Sequence, residues 1–153
     1  MNKNRKHITA WFTAALLCLS LPLSQLPVSA SEKPEDNLEN AIRISSVKDL
    51  EELSENCILN SWSQDKIVIL EKDLDLSGTD FTPIPSFGGI FLGQGHTISG
   101  LTLEGGSDYT GLFRYIQESG EVHDLYLSGD ASADSTHLGL ALLAGCNKGL
   151  VQG

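Results

Sequence analysis

Asp73-Leu74-Asp75-Leu76-Ser77-Gly78 returns as Gly100-Leu101-Thr102-Leu103-Glu104-Gly105, and again as Asp124-Leu125-Tyr126-Leu127-Ser128-Gly129, at spacings of 27 and then 24 residues. Each copy puts Leu-x-Leu on one face of an extended segment and a glycine two places later, where a chain can turn. Self-similarity at this period marks a solenoid, whose units cannot bury their apolar faces alone and must stack. Two shorter echoes continue the pattern. Gly111-Leu112-Phe113 returns as Gly139-Leu140-Ala141 after 28 residues, and Gly120-Glu121-Val122 as Gly149-Leu150-Val151 after 29. The motif describes a scaffold and carries no catalytic side chain.

Working outward, Lys66-Ile67-Val68-Ile69-Leu70 is apolar and β-branched, hence a strand. Beyond it short strands alternate with glycine-containing turns: residues 73–76, 89–92, 97–103, 110–116, 121–127 and 139–143. The pattern predicts an all-β fold, a right-handed parallel β-helix of about three rungs over residues 63–153. Its inward positions include Leu74, Leu76, Ile98, Leu101, Leu103, Val122, Leu125 and Leu127. Strands of an antiparallel sandwich would not repeat one motif at this period. On the last echo, the next Leu-x-Leu falls near position 154, so the chain is expected to stop inside a rung as the N-terminal part of a longer protein.

Residues 41–62 read as an N-terminal cap. Residues 41–45 are an entry strand, and Ser46-x-x-Asp49 is a capping box that opens a helix. Val47, Leu50, Leu53 and Cys57 form its apolar stripe, opposite Lys48, Glu51, Glu52 and Glu55. Such an amphipathic helix would cover the open first rung, protecting an edge that otherwise invites association.

Residues 1–30 have the three marks of a signal peptide: a basic start at Lys3, Arg5 and Lys6, an apolar run from Ile8 to Leu23, and Val28-Ser29-Ala30 before the cut. The run is short for a membrane anchor, and Leu16-Leu17 before Cys18 does not suit a lipoprotein site. Residues 31–40 then form a disordered acidic leader. Cleavage removes three of the ten basic residues and none of the twenty acidic ones, leaving a formal charge of −13. That charge excludes nucleic acid and anionic membrane as partners. Cys57 and Cys146 remain, either as a disulfide closing a long loop or as two separate buried thiols.

Candidate chemistry is sparse. Asp73-x-Asp75-x-Ser77-Gly78-x-Asp80 mimics the start of a calcium loop, but Ile84 stands where a bidentate Glu is needed. The strict alternation with Leu74 and Leu76 favours a solvated strand; a weak surface Ca²⁺ at Asp73, Asp75 and Asp80 is the alternative. Gly93-x-Gly95-His96 is followed by a strand and not a helix, so it reads as a turn and not a phosphate cradle. His96, His123 and His137 lie in different rungs, with no metal-ligand spacing and no Gly-x-Ser-x-Gly elbow. By the echo, Asp73, Asp75 and Asp124 share rung positions, yet Gly100 and Thr102 interrupt the row and Arg114 is the sole arginine of the repeats. A polysaccharide-cleaving site is thus poorly provided for.

The stretch Leu70-x-x-Asp73-Leu74-Asp75-Leu76-Ser77-Gly78, with Phe87-Gly88-Gly89-Ile90-Phe91-x-Gly93-x-Gly95-His96-Thr97-Ile98-Ser99-Gly100-Leu101, resembles the GLUG-repeat proteins. The resemblance continues through Gly111-Leu112-Phe113 and Gly139-Leu140-Ala141-Leu142-Leu143-Ala144-Gly145-x-Asn147-x-Gly149. It implies a bacterial, β-helical segment of a long surface protein, of the kind also found in immunoglobulin A peptidases. The expectation is a secreted or surface-displayed, adhesin-like scaffold with no catalytic, cofactor or metal residues. Its partner would be an extracellular protein or glycan, or a second chain at the open C-terminal β-edge. A carbohydrate-active β-helix enzyme, or the leading segment of a surface metallopeptidase, is the alternative.

Overall fold

The computed structural model describes residues 38–105, 108–133 and 138–153. The expected signal peptide, most of the acidic leader and His137 lie outside the described residues. Within the leader, residues 38–40 form one 3₁₀ turn, closed by a hydrogen bond from Ala41 N to Leu38 O at 3.3 Å.

The chain enters through β1 (Ile42–Ile44) and then forms the single α-helix among the described residues, α1 (Val47–Asn56). Ser46 is its N-cap: Ser46 Oγ accepts the Asp49 N–H at 3.2 Å. The reciprocal half differs from a standard capping box. Asp49 Oδ2 reaches one residue further back, accepting Ser45 N–H at 2.9 Å and Ser45 Oγ–H at 3.0 Å. Leu50, Leu53 and Cys57 are buried in the core, while Val47 is only partly covered. Ser54, buried on the same side, donates to Thr82 O and Pro83 O at 2.8 and 3.2 Å and fastens the helix to the following turn.

Three strands per turn follow, and every pairing is parallel. The first sheet stacks β1, β2 (Ile67–Leu70), β4 (Ile90–Leu92), β7 (Glu121–His123) and β10 (Leu150–Gln152). The second stacks β3 (Leu74–Asp75), β5 (Thr97–Gly105) and β8 (Tyr126–Ala133); the third pairs β6 (Phe113–Ile116) with β9 (Ala144–Asn147). The third sheet reaches the preceding turn through Ile84 against Phe113 and Phe87 against Ile116. The fold is an all-β parallel solenoid of about four turns, the expected cap followed by the three expected rungs. In the first turn α1 fills the interval between β1 and β2, so the helix substitutes for two strands.

The register is the main correction to the sequence reading. Leu74 stacks on Ile98, and Ile98 on Leu127, instead of the three repeat leucines aligning with one another. A bulge between Ile98 and Leu101 then sets Leu101 on Gly129 and Leu103 on Ala131. The predicted strand 121–127 is two strands, broken at Asp124, whose φ of +47° turns the corner. The predicted strand 139–143 is displaced to β9, because Thr110 bridges Leu140 and Phe113 pairs with Ala144. The echo of 120–122 at 149–151 holds residue for residue: Glu121 faces Leu150 and Val122 faces Val151.

Inside the stack, Val68, Phe91 and Val122 form one buried column. Phe87, Phe91 and Phe113 meet at its centre with ring centroids 5.3–6.2 Å apart. Six of the eight expected inward residues are buried; Leu125 and Leu127 are only partly so, packed against the core from the last described turn. On β10, which stacks on that turn, Leu150 and Val151 are 48 and 42 % exposed.

Candidate functional site

The aspartates singled out as calcium ligands do not converge. Asp73 Oδ1 accepts the Thr97 N–H at 2.8 Å and faces His96 Nδ1 at 3.2 Å, pinning one turn to the next. Asp75 Oδ1 accepts the Ser77 N–H at 2.9 Å, an Asx turn. Asp80 lies elsewhere, in a cavity of about 300 Å³ beside Glu51, Glu55 and Thr82. Among the described residues no three His, Cys, Asp or Glu side chains are placed to share a metal ion. Nor is there a carboxylate row of the kind the echo suggested: Asp75 pairs with Ser99, and Asp124 sits at a corner with its N–H on Gln152 O.

Asp49, Asp73 and Asp75 are each held below the usual carboxylate range. For Asp49 the main cause is the Ser45 N–H, for Asp73 the Thr97 N–H, and for Asp75 the Ser77 hydrogen bonds. A carboxyl depressed in the folded state stabilises the fold above its unfolded pKa, and that contribution disappears as pH falls through the folded value. Stability is therefore expected to drop below about pH 4. Asp49→Asn should lower the melting temperature at pH 6 but lose most of that difference near pH 2, measured by circular dichroism melts at both pH values.

The Gly93–His96 segment is a turn, as its sequence suggested. Gly93 N–H donates to His123 O and Gly95 N–H to Asp124 O, both at 2.7 Å, and β5 follows. His123 Nε2 faces Glu121 Oε2 at 2.9 Å on the same strand. Cys57 and Cys146 are not bonded to each other. Cys57, buried at the end of α1, has its thiol pushed up to about 11 by burial, which makes it a poor nucleophile.

Polar side chains from several turns gather on the third sheet. Gln117, just after β6, donates Nε2–H to Asn60 O at 2.6 Å and to Ser86 Oγ at 2.9 Å, while its Oε1 accepts from Gln64 Nε2 at 3.2 Å. This amide lies over Gly88, where an added Cβ would stand 2.9 Å from Gln117 Oε1. Next to it Ser119 Oγ donates to Gly88 O at 2.9 Å. Gln64, Tyr115, Gln117, Glu118, Ser119 and Lys148 line an open groove of about 440 Å³. Lys148 Nζ stands 5.5 Å from the Tyr115 ring centre, and Tyr109 meets Tyr115 edge to face at 6.1 Å.

No motif points to this groove, because Gln64, Gln117 and Lys148 come from three different turns. The only trace in sequence is the glycine at position 88, which leaves room for the amide. Gln117→Leu is expected to destabilise the fold by about 1–3 kcal/mol, since it strips partners from Asn60 O, Ser86 and Gln64. Urea unfolding of the variant checks this.

No protein-family model, no curated protein and no solved structure matches the chain.

Proposed function

We propose that this protein is a non-catalytic, exported β-solenoid scaffold whose flank presents a binding surface. The observation that carries the reading is the groove on the third sheet, where side chains from separate turns are locked in place by hydrogen bonds. Several titratable groups support it too, since each is engaged within the scaffold: Asp73 holds Thr97 N–H and His96 on the next turn, Asp75 closes its own turn at Ser77, and His123 faces Glu121. A stacked rod offers a long lateral face in which neighbouring turns can each contribute a contact.

Export rests on the signal-like residues 1–30, and surface display on the resemblance to GLUG-repeat proteins. The localisation test is to express the chain with its own leader and sequence the N-terminus of the product outside the cytoplasm. Material beginning at Ser31 and labelled by a membrane-impermeant biotin reagent on whole cells supports the proposal. Product confined to the cytoplasm with Met1 intact overturns it.

A further inference from the structure

We propose that the groove beside β6 and β9 is a subsite for a neutral pyranose unit of an extracellular polysaccharide, an inference that rests on reading the chain as a binding scaffold. The groove, about 440 Å³, is within the usual range of small-ligand sites, roughly 300–1,000 Å³. Its lining narrows the ligand class by chemistry. The six side chains include one aromatic ring and no aliphatic residue, so it lacks the apolar walls that hold a lipid or hydrophobic peptide. Its one cation, Lys148, shares the groove with the Glu118 carboxylate, so the lining has no net charge with which to capture phosphate or a uronate. With no basic partner beyond Lys148, nucleic acid is excluded as well.

What remains is a ligand that is polar over its whole surface, uncharged, and able to lie against a ring. A pyranose has these properties: hydroxyls that both donate and accept, and a C–H face that packs on an aromatic ring. The lining matches them with donors at the Gln64 amide and the Lys148 ammonium, acceptors at the Glu118 carboxylate, Gln117 Oε1 and Ser119 Oγ, and the Tyr115 ring. Gln117, Ser119 and Tyr115 are also fixed beforehand. Gln117 is held by three hydrogen bonds and Ser119 by its bond to Gly88 O. Tyr115 is braced by Tyr109, whose carbonyl accepts from Arg114 Nε at 3.3 Å while Asp108 O accepts from Arg114 Nη2 at 3.2 Å. Rigid polar groups lower the entropic cost of binding a weakly held sugar.

The test is isothermal titration of the full chain with neutral gluco-, manno- and galacto-oligosaccharides, alongside an oligogalacturonate. Saturable binding of at least one neutral oligosaccharide is expected, weakened about tenfold by Tyr115→Ala and by Glu118→Ala. Glu118 is exposed, so its variant decides the matter even where Tyr115→Ala fails to fold; Tyr126→Ala, exposed on the second sheet, should bind as wild type. Absence of binding across the neutral panel overturns the proposal, as does binding that Glu118→Ala leaves unchanged, or a preference for the oligogalacturonate. None of these touches the scaffold reading. New reducing ends released from a bound oligosaccharide in a Tyr115-dependent way would instead support the site and overturn the non-catalytic reading.

Discussion

Phe113→Ala is expected to destabilise the protein by about 3–5 kcal/mol, the cost of deleting a buried aromatic ring and leaving a cavity. Phe113 is fully buried and touches both other rings of the central cluster, Phe87 at 5.3 Å and Phe91 at 5.6 Å. It also sits mid-stack in the third sheet, with Ile84 on one side and Ala144 on the other. Neighbouring strands are hydrogen-bonded along the stack, so they cannot move inward to refill the space. Because the total stability of a domain this size is only about 5–15 kcal/mol, the variant should lose a large share of it. Urea titration followed by circular dichroism measures the loss, with Phe81→Ala, at a half-buried position, as the milder comparison. A loss below about 1 kcal/mol would mean that the three rings do not form the centre of the core.

Gly100→Ala is the second large effect, expected at about 2–4 kcal/mol from a strained backbone and a blocked approach. Gly100 has φ +68° and lies in the bulge where the pairing of β5 with β8 shifts. An added Cβ would press on Ser77 Oγ and stand 2.5 Å from Ser77 N and 2.6 Å from Asp75 Oδ1. Those atoms belong to the Asx turn of the preceding rung, and Ser77 N is backbone, so moving the two side chains aside cannot relieve the whole clash. Ser77→Gly should therefore recover only a minor part of the loss when combined with Gly100→Ala. Recovery of nearly all of it in thermal melts would show that the hydroxyl, and not the close backbone stacking, is what the glycine accommodates.

These two residues also show which parts of the fold were legible in the sequence. The presence of rungs was, because Leu-x-Leu followed by glycine can only be buried by stacking. The alignment of rungs was not. Gly100 opens a bulge inside the motif itself, so Leu101 and Leu103 pass onto Gly129 and Ala131 while Ile98 takes the place between Leu74 and Leu127. A leucine pattern cannot report this, since Leu and Ile are interchangeable to a core and rung lengths vary. Where no bulge intervenes, as between β7 and β10, the echo and the register agree. The helix was legible from Ser46 and its apolar stripe, though the reach of Asp49 to Ser45 was not. The groove was illegible for a plainer reason: its residues are neighbours only after stacking, and glutamine, serine and lysine are common on any surface.

The groove thus exists only if the register of the third sheet is as described, which makes that register the point to measure. Cross-strand nuclear Overhauser contacts between backbone protons of ¹⁵N,¹³C-labelled protein report it directly. The structure predicts contacts of Phe113 with Ala144 and of Tyr115 with Cys146, which bring Lys148 beside Tyr115. Contacts of Phe113 with Ala141, the partner implied by the internal echo, would contradict the account and take the groove away with it.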